Sequence, residues 1–324
     1  MINVGILGAG NIAEKMARTI QATAAAKTYA VGSRSLKKAQ AFAEKFDFDK
    51  AYGSYEALVQ DPDLDLVYVA TPHNFHYQHA KLALDHGKHV LCEKALTLNA
   101  KEAESLMALA HQKGLTFMEA IWPRYMPLNR QLKEMIDMGK IGQIQAIHAS
   151  LAYPIKDKER MKRPDLAGGS LLDLGVYPIH FTLSLLGNDY DKVHSLITKT
   201  DQGVDLHTSI LLSYPNGAQA LIHSSMADGP YSHALVLGDK GRFEIDGTNH
   251  IETIRVYDLD NQLIGEYKRP NDFGGFEYQL EEAIRLIREG KVESTIVTHE
   301  DSLAVMRLCD TVRYDNQFYY PEEG

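Results

Sequence analysis

Four side chains in this chain have types and spacings that suit acid–base chemistry. Lys94 follows residues 89–92, an apolar run typical of a strand buried in a parallel sheet. In open α/β sheets ligands bind beyond the carboxyl ends of the strands, so we expect the Lys94 ammonium to face a binding crevice. Asp173, Tyr177 and His180 are spaced so that one helix carries all three on one face. Together the four residues supply a cation, an acceptor and two groups that can exchange a proton.

The start of the chain predicts a turn that binds a dinucleotide. Residues 2–7 form a short apolar strand, and Gly8-Ala9-Gly10-Asn11-Ile12-Ala13 then leads into an Ala-rich segment with helical character. In this G-x-G-x-x-A pattern the first glycine permits the tight turn, the second lets the backbone approach a pyrophosphate, and the small last residue lets helix and strand pack closely. The first amides of the helix would face the phosphates. The residues expected to bind the dinucleotide here are Gly8, Gly10, Asn11 and Ile12.

The end of the second strand favours NADP over NAD. NAD-selective proteins commonly place an acidic residue there to bind the ribose 2′-hydroxyl, whereas this chain has Ser33-Arg34-Ser35. A guanidinium and hydroxyl groups suit a 2′-phosphate, and Lys38 follows on the next helix. We therefore expect Ser33, Arg34 and Lys38 to bind this end of the cofactor. The alternative interpretation is an ordinary basic start of a solvated helix.

Two further segments on the same sheet edge are expected to bind the nicotinamide half of the cofactor. The loop after the strand at 64–70 contributes Thr71, Pro72, Asn74 and His76. The segment at the end of the next strand contributes Glu93 and Lys94. Glu93 is expected to hold either Lys94 or the cofactor amide.

Three histidines of the segment 71–79 suggest a metal site as an alternative function. His73, His76 and His79 have a spacing that suits metal ligands, but no additional ligand lies near them in the sequence. We therefore predict no metal site.

The hydrophobic period divides the chain near residue 120. Before it, strands alternate with helices, which predicts a Rossmann domain over 1–120 with a doubly wound parallel sheet. After residue 144 the period becomes two, and Asn216-Gly217 between strand-like runs is a strong hairpin signal. We predict an α+β domain over 121–324 with a large, mostly antiparallel open sheet, whose C-terminal helices pack back on the first domain. An open sheet face of this kind commonly forms a dimer interface.

Several residues of the second half are candidates for substrate contact. Trp122, the only tryptophan, and Arg124 lie at the domain junction, where sites are often found, although a large aromatic residue more commonly fills a core. We expect both residues to contact the cofactor, and Trp122 to contact the substrate as well. Tyr153, His180 and Tyr278 complete the candidate substrate contacts.

Composition excludes some classes of protein. The 324 residues carry a formal net charge of -9, which argues against a general nucleic-acid or anionic-membrane binder. The first residues lack a basic segment typical of a secretory signal, and we expect no apolar run of membrane-spanning length. Two cysteines cannot form a disulfide framework, so we expect a cytoplasmic protein.

The chain resembles the glucose-fructose oxidoreductase, inositol dehydrogenase and MocA (Gfo/Idh/MocA) family over essentially its whole length. The resemblance rests on Gly8-Ala9-Gly10, Ala70-Thr71-Pro72 with His76, Glu93-Lys94, and residues 168–177. It is greatest for the branch with dimeric dihydrodiol dehydrogenase and NADP-dependent xylose dehydrogenase, because of the Arg after the second strand, Trp122 and Tyr177. The resemblance implies catalytic roles for Lys94, Asp173 and Tyr177, a substrate contact for Trp122, and a dimer formed through the sheet.

One position departs from the family pattern. The family usually has Glu-Lys-Pro, and here Ala95 replaces the proline. A cis bond before a residue other than proline costs about 2.5 to 4 kcal/mol, so we expect a trans Lys94–Ala95 bond and a slightly looser Lys94.

These residues predict reversible hydride transfer between NADP and a CH–OH carbon of a sugar, polyol or trans-dihydrodiol. Tyr177 would exchange the hydroxyl proton, Lys94 would polarise the carbonyl oxygen, and Asp173 would orient the substrate or Lys94; His180 is the reserve proton carrier. The direction of the physiological reaction stays open. The alternative is a non-catalytic NADP-binding redox sensor or assembly protein on the same fold.

Overall fold

The computed structural model describes residues 1–321, and the chain divides into two compact units. The first unit comprises Met1–Tyr125 and Asp272–Leu303. The second comprises Met126–Asn271 and Ala304–Gly324, of which residues 322–324 lie outside the described part.

The first unit is built on a parallel six-stranded sheet in the order β3-β2-β1-β4-β5-β6. This is the strand order of a dinucleotide-binding fold, and it confirms the predicted Rossmann sheet. All residues of β4 are buried, because helices cover both faces of a sheet of this type. The strands are β1 (Ile2–Leu7), β2 (Ala26–Gly32), β3 (Lys50–Tyr52), β4 (Leu66–Val69), β5 (His89–Glu93) and β6 (Phe117–Ala120).

The second unit contains an eight-stranded sheet in the order β14-β13-β12-β11-β7-β10-β9-β8. Among the described strands of this second sheet, only β7 and β10 pair in parallel. The prediction of a mostly antiparallel sheet is therefore confirmed. The strands are β7 (Ile144–Ala152), β8 (Lys192–Lys199), β9 (Asp205–Ser213), β10 (Gln219–Ser225), β11 (Tyr231–Gly238), β12 (Gly241–Asp246), β13 (Thr253–Tyr257) and β14 (Leu263–Lys268).

Nine α-helices accompany the sheets in the described residues. Asn99 caps one of them as its sequence predicts, since its side chain accepts the Glu102 amide at 3.0 Å, and Gly114 closes the same helix in the left-handed conformation. The helices are α1 (Asn11–Ala22), α2 (Leu36–Phe46), α3 (Tyr55–Val59), α4 (His76–Asp85), α5 (Ala100–Lys113), α6 (Pro127–Asp137), α7 (Val176–Leu186), α8 (Glu277–Glu289) and α9 (His299–Asp315).

The predicted hairpin joins β9 and β10. Leu212 pairs with Ala220, and the Tyr214 amide donates to the Ala218 carbonyl at 3.0 Å. Gly217 has φ 88°, which explains the glycine in this turn. β8 and β14 were not predicted from the sequence, because strands at the edges of this sheet bury few side chains and show a weak alternation.

The two faces of the second sheet differ. Helix α7 packs on β7 and β10 from one side. On the other face Leu196, Leu211 and Leu221 are 67%, 39% and 48% exposed. A shallow cavity of about 570 Å³ lies on this face and is lined by the three leucines together with histidines and serines.

The stretch Pro164–Leu186 is long and apolar enough to cross a membrane by length and composition. The expectation that no such run exists was therefore wrong. Its most apolar window is 78% buried within the protein, as the core helix of a globular protein would be, because α7 covers the second sheet.

Candidate active site

The glycine turn after β1 leaves room for a dinucleotide phosphate. Gly8 has φ +110°, and a Cβ at this position would lie 2.8 Å from the Ala70 carbonyl oxygen, so only glycine fits. Beside Gly10, no atom of the described residues lies within 4 Å of where a Cβ would be. Gly10 caps α1, whose first amides have no acceptor within the helix. This open space at a helix start therefore suits a pyrophosphate.

A cavity of about 370 Å³ lies beside Arg34, the exposed residue that follows β2. Its other walls include Tyr55, Thr71 and His79. His79 Nδ1 lies 2.9 Å from Thr71 Oγ1, and its ring meets Tyr55 edge-on at 4.5 Å between centroids. Burial lowers the pKa of His79 to about 4, so its ring is neutral. An arginine opposite neutral rings suits an adenosine that carries a phosphate.

His76 contacts the backbone of the loop that follows β4. Its ring is fully buried, with Nδ1 2.8 Å from the Ala95 carbonyl oxygen and Nε2 2.7 Å from the Thr71 carbonyl oxygen. Burial lowers the pKa of His76, while the two carbonyl oxygens oppose this shift. Both nitrogens are engaged, so His76 has no nitrogen left for a metal ion. Its position gives it a role in joining the Thr71 loop to the segment after β5.

The Lys94–Ala95 peptide bond is cis, so the expected trans bond was wrong. The expectation considered only the local preference of an alanine peptide. Ala95 is fully buried, and its carbonyl oxygen lies 2.8 Å from His76 Nδ1.

Glu93 is buried next to Lys94 and binds two groups of the first unit. The Tyr68 hydroxyl donates to one carboxylate oxygen, and the Lys94 amide donates to the other at 3.3 Å. Burial raises the pKa of Glu93 to about 7, against the opposing effects of Tyr68 and Lys94. The carboxyl therefore titrates in the neutral range when no ligand is present.

Glu93→Gln is expected to stabilise the first unit at high pH. The native pKa of Glu93 exceeds its ordinary value of 4.5, so the wild type loses stability as pH rises from about 4.5 through about 7. At about 1.4 kcal/mol per pKa unit, the variant should gain about 2 to 3 kcal/mol over wild type between pH 5 and pH 8. The free energy of unfolding is measured by urea unfolding followed by Trp122 fluorescence. This signal reports on the first unit, which contains Glu93, because Trp122 is the only tryptophan.

Glu104→Gln is the matched control for this experiment. Glu104 is an exposed carboxylate on α5 of the same unit, so its variant should follow the wild-type pH dependence. Parallel curves for Glu93→Gln and wild type would show that Glu93 does not titrate as described.

Trp122 and Arg124 lie in the first unit and bind its C-terminal segment. Trp122 is 6% exposed and packs on Phe276 at 5.1 Å, with the Lys15 ammonium 3.8 Å from the Phe276 ring centre. Arg124 donates to the Ile296 carbonyl oxygen at 3.2 Å. Its guanidinium also lies 3.8 Å from the Asp301 carboxylate. These contacts give Arg124 a role in holding the segment that leads to α9.

In the second unit, Asp205 organises the turn that precedes α7. Its buried carboxylate accepts the Ser170 hydroxyl at 2.8 Å and the Leu171 amide at 2.6 Å. Gly169 has φ +122°, and a Cβ there would lie 1.9 Å from Asp205 Oδ1. Burial raises the pKa of Asp205 to about 6. The Gly-Gly-Ser segment is therefore explained by its close approach to a buried carboxylate.

Asp173 lies in a single π-helical turn, Leu171–Gly175, directly before α7. The Val176 amide donates to the Leu171 carbonyl, five residues back. Asp173 is 8% exposed, and Arg160 Nη2 donates to its carboxylate at 2.8 Å. Turns of this type are frequent at functional sites. Arg160 thus holds a side chain for which a catalytic role is predicted.

Tyr177 occupies the first turn of α7, as the neighbouring Pro178 requires. Its ring is partly exposed and packs against an apolar cluster that includes Leu151 and Met226. Tyr153 packs on the same cluster and receives a hydrogen bond from Asn249 Nδ2 at 3.4 Å. His180, one turn further along α7, is only 1% exposed. Of the two proton carriers on this helix, Tyr177 is the more accessible.

Comparison with known families decides the identity of this fold and site. Residues 2–121 match the model of an oxidoreductase family with an NAD-binding Rossmann fold, and residues 129–249 match the GFO/IDH/MocA C-terminal domain. The chain belongs to the Gfo/Idh/MocA family of oxidoreductases. This confirms the predicted family and the predicted nicotinamide-dependent oxidoreductase.

Similar family members cover almost the whole chain. A D-xylose 1-dehydrogenase (NADP(+)) from Hypocrea jecorina is 34% identical over 98% of this chain and 93% of its own length. A trans-1,2-dihydrobenzene-1,2-diol dehydrogenase from Mus musculus is 36% identical over 98% of both chains. Among solved structures, a 3-ketoreductase from Actinomadura kijaniata in complex with NADP and TDP-benzene has a TM-score of 0.89 and 30% identity, with 97% of both chains covered.

The structure of this Gfo/Idh/MocA chain distributes the predicted site residues over both units. The first unit carries the residues predicted to bind the cofactor, together with Tyr278 on α8; the second carries Asp173, Tyr177, Tyr153 and His180. Within the first unit, the predicted residues gather on the edge of the sheet formed by the carboxyl ends of its strands. Lys38 is exposed on α2, and its amide is capped by Ser35.

Sequence reasoning missed four residues that shape this family member's site. Tyr55 and His79 line the cavity beside Arg34, Arg160 binds Asp173, and Asp205 holds the turn before α7. A signal existed for Tyr55, which follows β3 at the same sheet edge. The partners of Asp173 and Ser170 are 13 and 35 residues away, so spacing could not reveal them.

Proposed function

We propose that this protein is an NADP(H)-dependent oxidoreductase that transfers a hydride between nicotinamide and a CH–OH or carbonyl carbon of a sugar, polyol or trans-dihydrodiol. The observation that carries the substrate class is the end-to-end similarity to dehydrogenases of xylose and of a dihydrodiol. A ketoreductase with a nucleotide-linked ligand has the same architecture, so sugar chemistry in either direction fits the proposal.

The residues of the first unit fit a nicotinamide dinucleotide. The space beside Gly10 and the cavity beside Arg34 accept a pyrophosphate and an adenosine phosphate, respectively. When bound, the cofactor supplies hydride exchange. Thr71, Pro72 and Asn74 follow β4 on the same edge of the sheet. The neighbouring strand β5 ends at Glu93, and Lys94 follows it. We assign the nicotinamide half to this group.

The catalytic roles are assigned to three side chains. Tyr177 exchanges the proton of the substrate hydroxyl, since its phenol is the accessible proton carrier on α7. Lys94 stabilises negative charge on the substrate oxygen with its ammonium group. Asp173, held by Arg160, orients the substrate hydroxyl. Tyr153, Trp122, His180 and Tyr278 are the proposed neighbours of the substrate.

The substrate class is tested by following NADPH absorbance with aldoses, dicarbonyl compounds and, in the oxidative direction with NADP⁺, trans-dihydrodiols. Turnover of at least one class supports the proposal. Tight NADPH binding without turnover of any of them would instead favour the redox-sensor alternative.

Arg34→Ala is expected to reduce the preference for NADPH. The guanidinium is the cation that lines the cavity beside β2, and its loss removes a charged contact to the 2′-phosphate. We expect kcat/KM for NADPH to fall by roughly 10- to 100-fold, with a change of less than about threefold for NADH. The measurement compares kcat/KM for both cofactors in wild type and variant. An unchanged ratio would remove Arg34 from the cofactor site.

We also propose a homodimer formed through the open face of the second sheet. Its support is the exposure of Leu196, Leu211 and Leu221 on neighbouring strands of this face. An exposed sheet face that carries several large apolar side chains is typical of a symmetric contact. Sedimentation velocity at micromolar concentration determines the mass.

A cytoplasmic location is proposed from the cysteines. Cys92 and Cys309 are both buried, and neither forms a disulfide in the described part of the chain, as a reducing compartment permits.

A further inference from the structure

Three potential metal ligands of the first unit meet on the side opposite the nucleotide edge. His111 lies in the last turn of α5, Glu293 in the segment between α8 and α9, and His299 at the start of α9. His111 Nε2 lies 3.3 Å from His299 Nδ1. One oxygen of Glu293 lies 4.0 Å from His111 Nε2, and the other lies 4.0 Å from His299 Nδ1. The three ligand atoms all lie within 4.8 Å of one another.

The hydrogen bonds of His299 direct a lone pair into this cluster. Its Nε2 lies 2.9 Å from the Phe117 carbonyl oxygen, which can only accept, so Nε2 carries the hydrogen. In a neutral ring Nδ1 then has a free lone pair, and Nδ1 is the atom that faces His111 and Glu293. Metal-binding histidines are commonly oriented by such a carbonyl partner.

Glu293 is also held in place before any ion binds. One of its oxygens accepts the backbone amide of His299 at 2.6 Å. The His111 side chain is 54% exposed and that of Glu293 is 36% exposed, whereas His299 is only 13% exposed. The cluster therefore has a fixed inner side and an open outer side, where water can complete a coordination shell.

We propose that His111, Glu293 and His299 bind a divalent transition-metal ion of the zinc class. In a tetrahedral site with Zn–N bonds of about 2.0 to 2.1 Å, ligand atoms are about 3.3 to 3.5 Å apart. The two nitrogens already have this separation, and the Glu293 oxygens, each 4.0 Å from one nitrogen, would have to move closer on binding. Two imidazole ligands favour Zn²⁺, Ni²⁺ or Cu²⁺ over Mg²⁺ and Ca²⁺.

The position of the cluster gives the ion a structural role. Phe117 is the first residue of β6, so the cluster lies at the amino ends of the parallel strands, whereas Gly8 and Lys94 lie at the carboxyl ends. An ion here joins α5, the segment before α9 and the edge of β6. Without an ion, a His111 Nε2–H group that donates to His299 Nδ1 would account for the same geometry.

Metal titration of the chelator-treated full-length protein tests the proposal. Zn²⁺ binding is measured by calorimetry, and Co²⁺ binding by the visible absorption of the ion. We expect one strong site in the wild type, an affinity at least about tenfold weaker in His111→Ala and in Glu293→Gln, and a zinc-dependent rise in Tm in the wild type that these two variants lack. His111 is mostly exposed, so its variant should remain folded.

Two controls separate this site from other histidines. His86→Ala removes another exposed histidine of the first unit and should bind zinc like the wild type. His223→Ala disrupts His207, His223 and Asp228, a second group in the other unit whose ligand atoms lie within 4.8 Å. Absence of zinc binding by the wild type, unchanged affinity in His111→Ala and Glu293→Gln, or loss of affinity only in His223→Ala would each overturn the proposal.

Discussion

Tyr177→Phe is expected to lower kcat by about 10²- to 10⁴-fold while KM changes little. The substitution removes the hydroxyl that exchanges the substrate proton. It retains the ring that packs against Leu151 and Met226, so the position of α7 should be preserved. Steady-state kinetics with NADPH and the best substrate of the panel measure both constants.

Tyr190→Phe is the matched control for the loss of a hydroxyl group. Tyr190 lies in the same unit, where its ring meets Tyr214, and its variant should keep the wild-type kcat. If Tyr177→Phe kept nearly all activity while His180→Ala lost it, the proton carrier would be His180.

Lys94→Ala is expected to lower kcat/KM by about 10²- to 10³-fold, the usual loss when one group that stabilises an oxyanion is removed. The backbone at Lys94 is held on both sides, because its amide donates to Glu93 and the next carbonyl oxygen, that of Ala95, contacts His76. The kinetic measurement is combined with NADPH binding followed by Trp122 fluorescence. NADPH binding should weaken far less than kcat/KM falls, because Lys94 is one of several groups assigned to the nicotinamide half and the main loss concerns the chemical step.

The control for charge is Lys45→Ala, which removes an exposed lysine of α2 that pairs with Glu14. It should behave as wild type. Partial recovery of Lys94→Ala by small primary amines would support a direct role of the ammonium. A kcat/KM within about threefold of wild type would contradict that role. In Lys94→Ala/Tyr177→Phe, losses smaller than the product of the single losses would indicate that both groups act on one step.

The parts of the fold that were predictable have strong local signals. The strand, glycine turn and helix at residues 2–22 follow from a short apolar run and the absence of side chains at Gly8 and Gly10. The β9–β10 hairpin follows from Asn216-Gly217. β8 and β14 escaped prediction because exposed edge strands carry little apolar alternation.

The candidate site was predictable in its residue types and less so in its supports. Lys94 follows the buried strand that ends at Glu93, and Tyr177 and Asp173 share one helical segment, so spacing was sufficient to propose them as site residues. The π-helical turn around Asp173 was not predictable, because it depends on a Val176 amide that reaches five residues back and on contacts of Asp205 with the turn.

The two sheets and the glycine turn are predictable from the amino-acid sequence, because they follow from apolar periodicity and turn residues within short segments, and the motifs of those segments identify the family. The cis bond at Ala95, the Arg160–Asp173 pair and the contact of His111 with His299 are visible only in the three-dimensional structure. The two histidines are 188 residues apart in the chain, so their contact follows from packing of α9 beside α5. Such contacts depend on how helices and strands pack in three dimensions, and the spacing of residues in the sequence does not specify that packing.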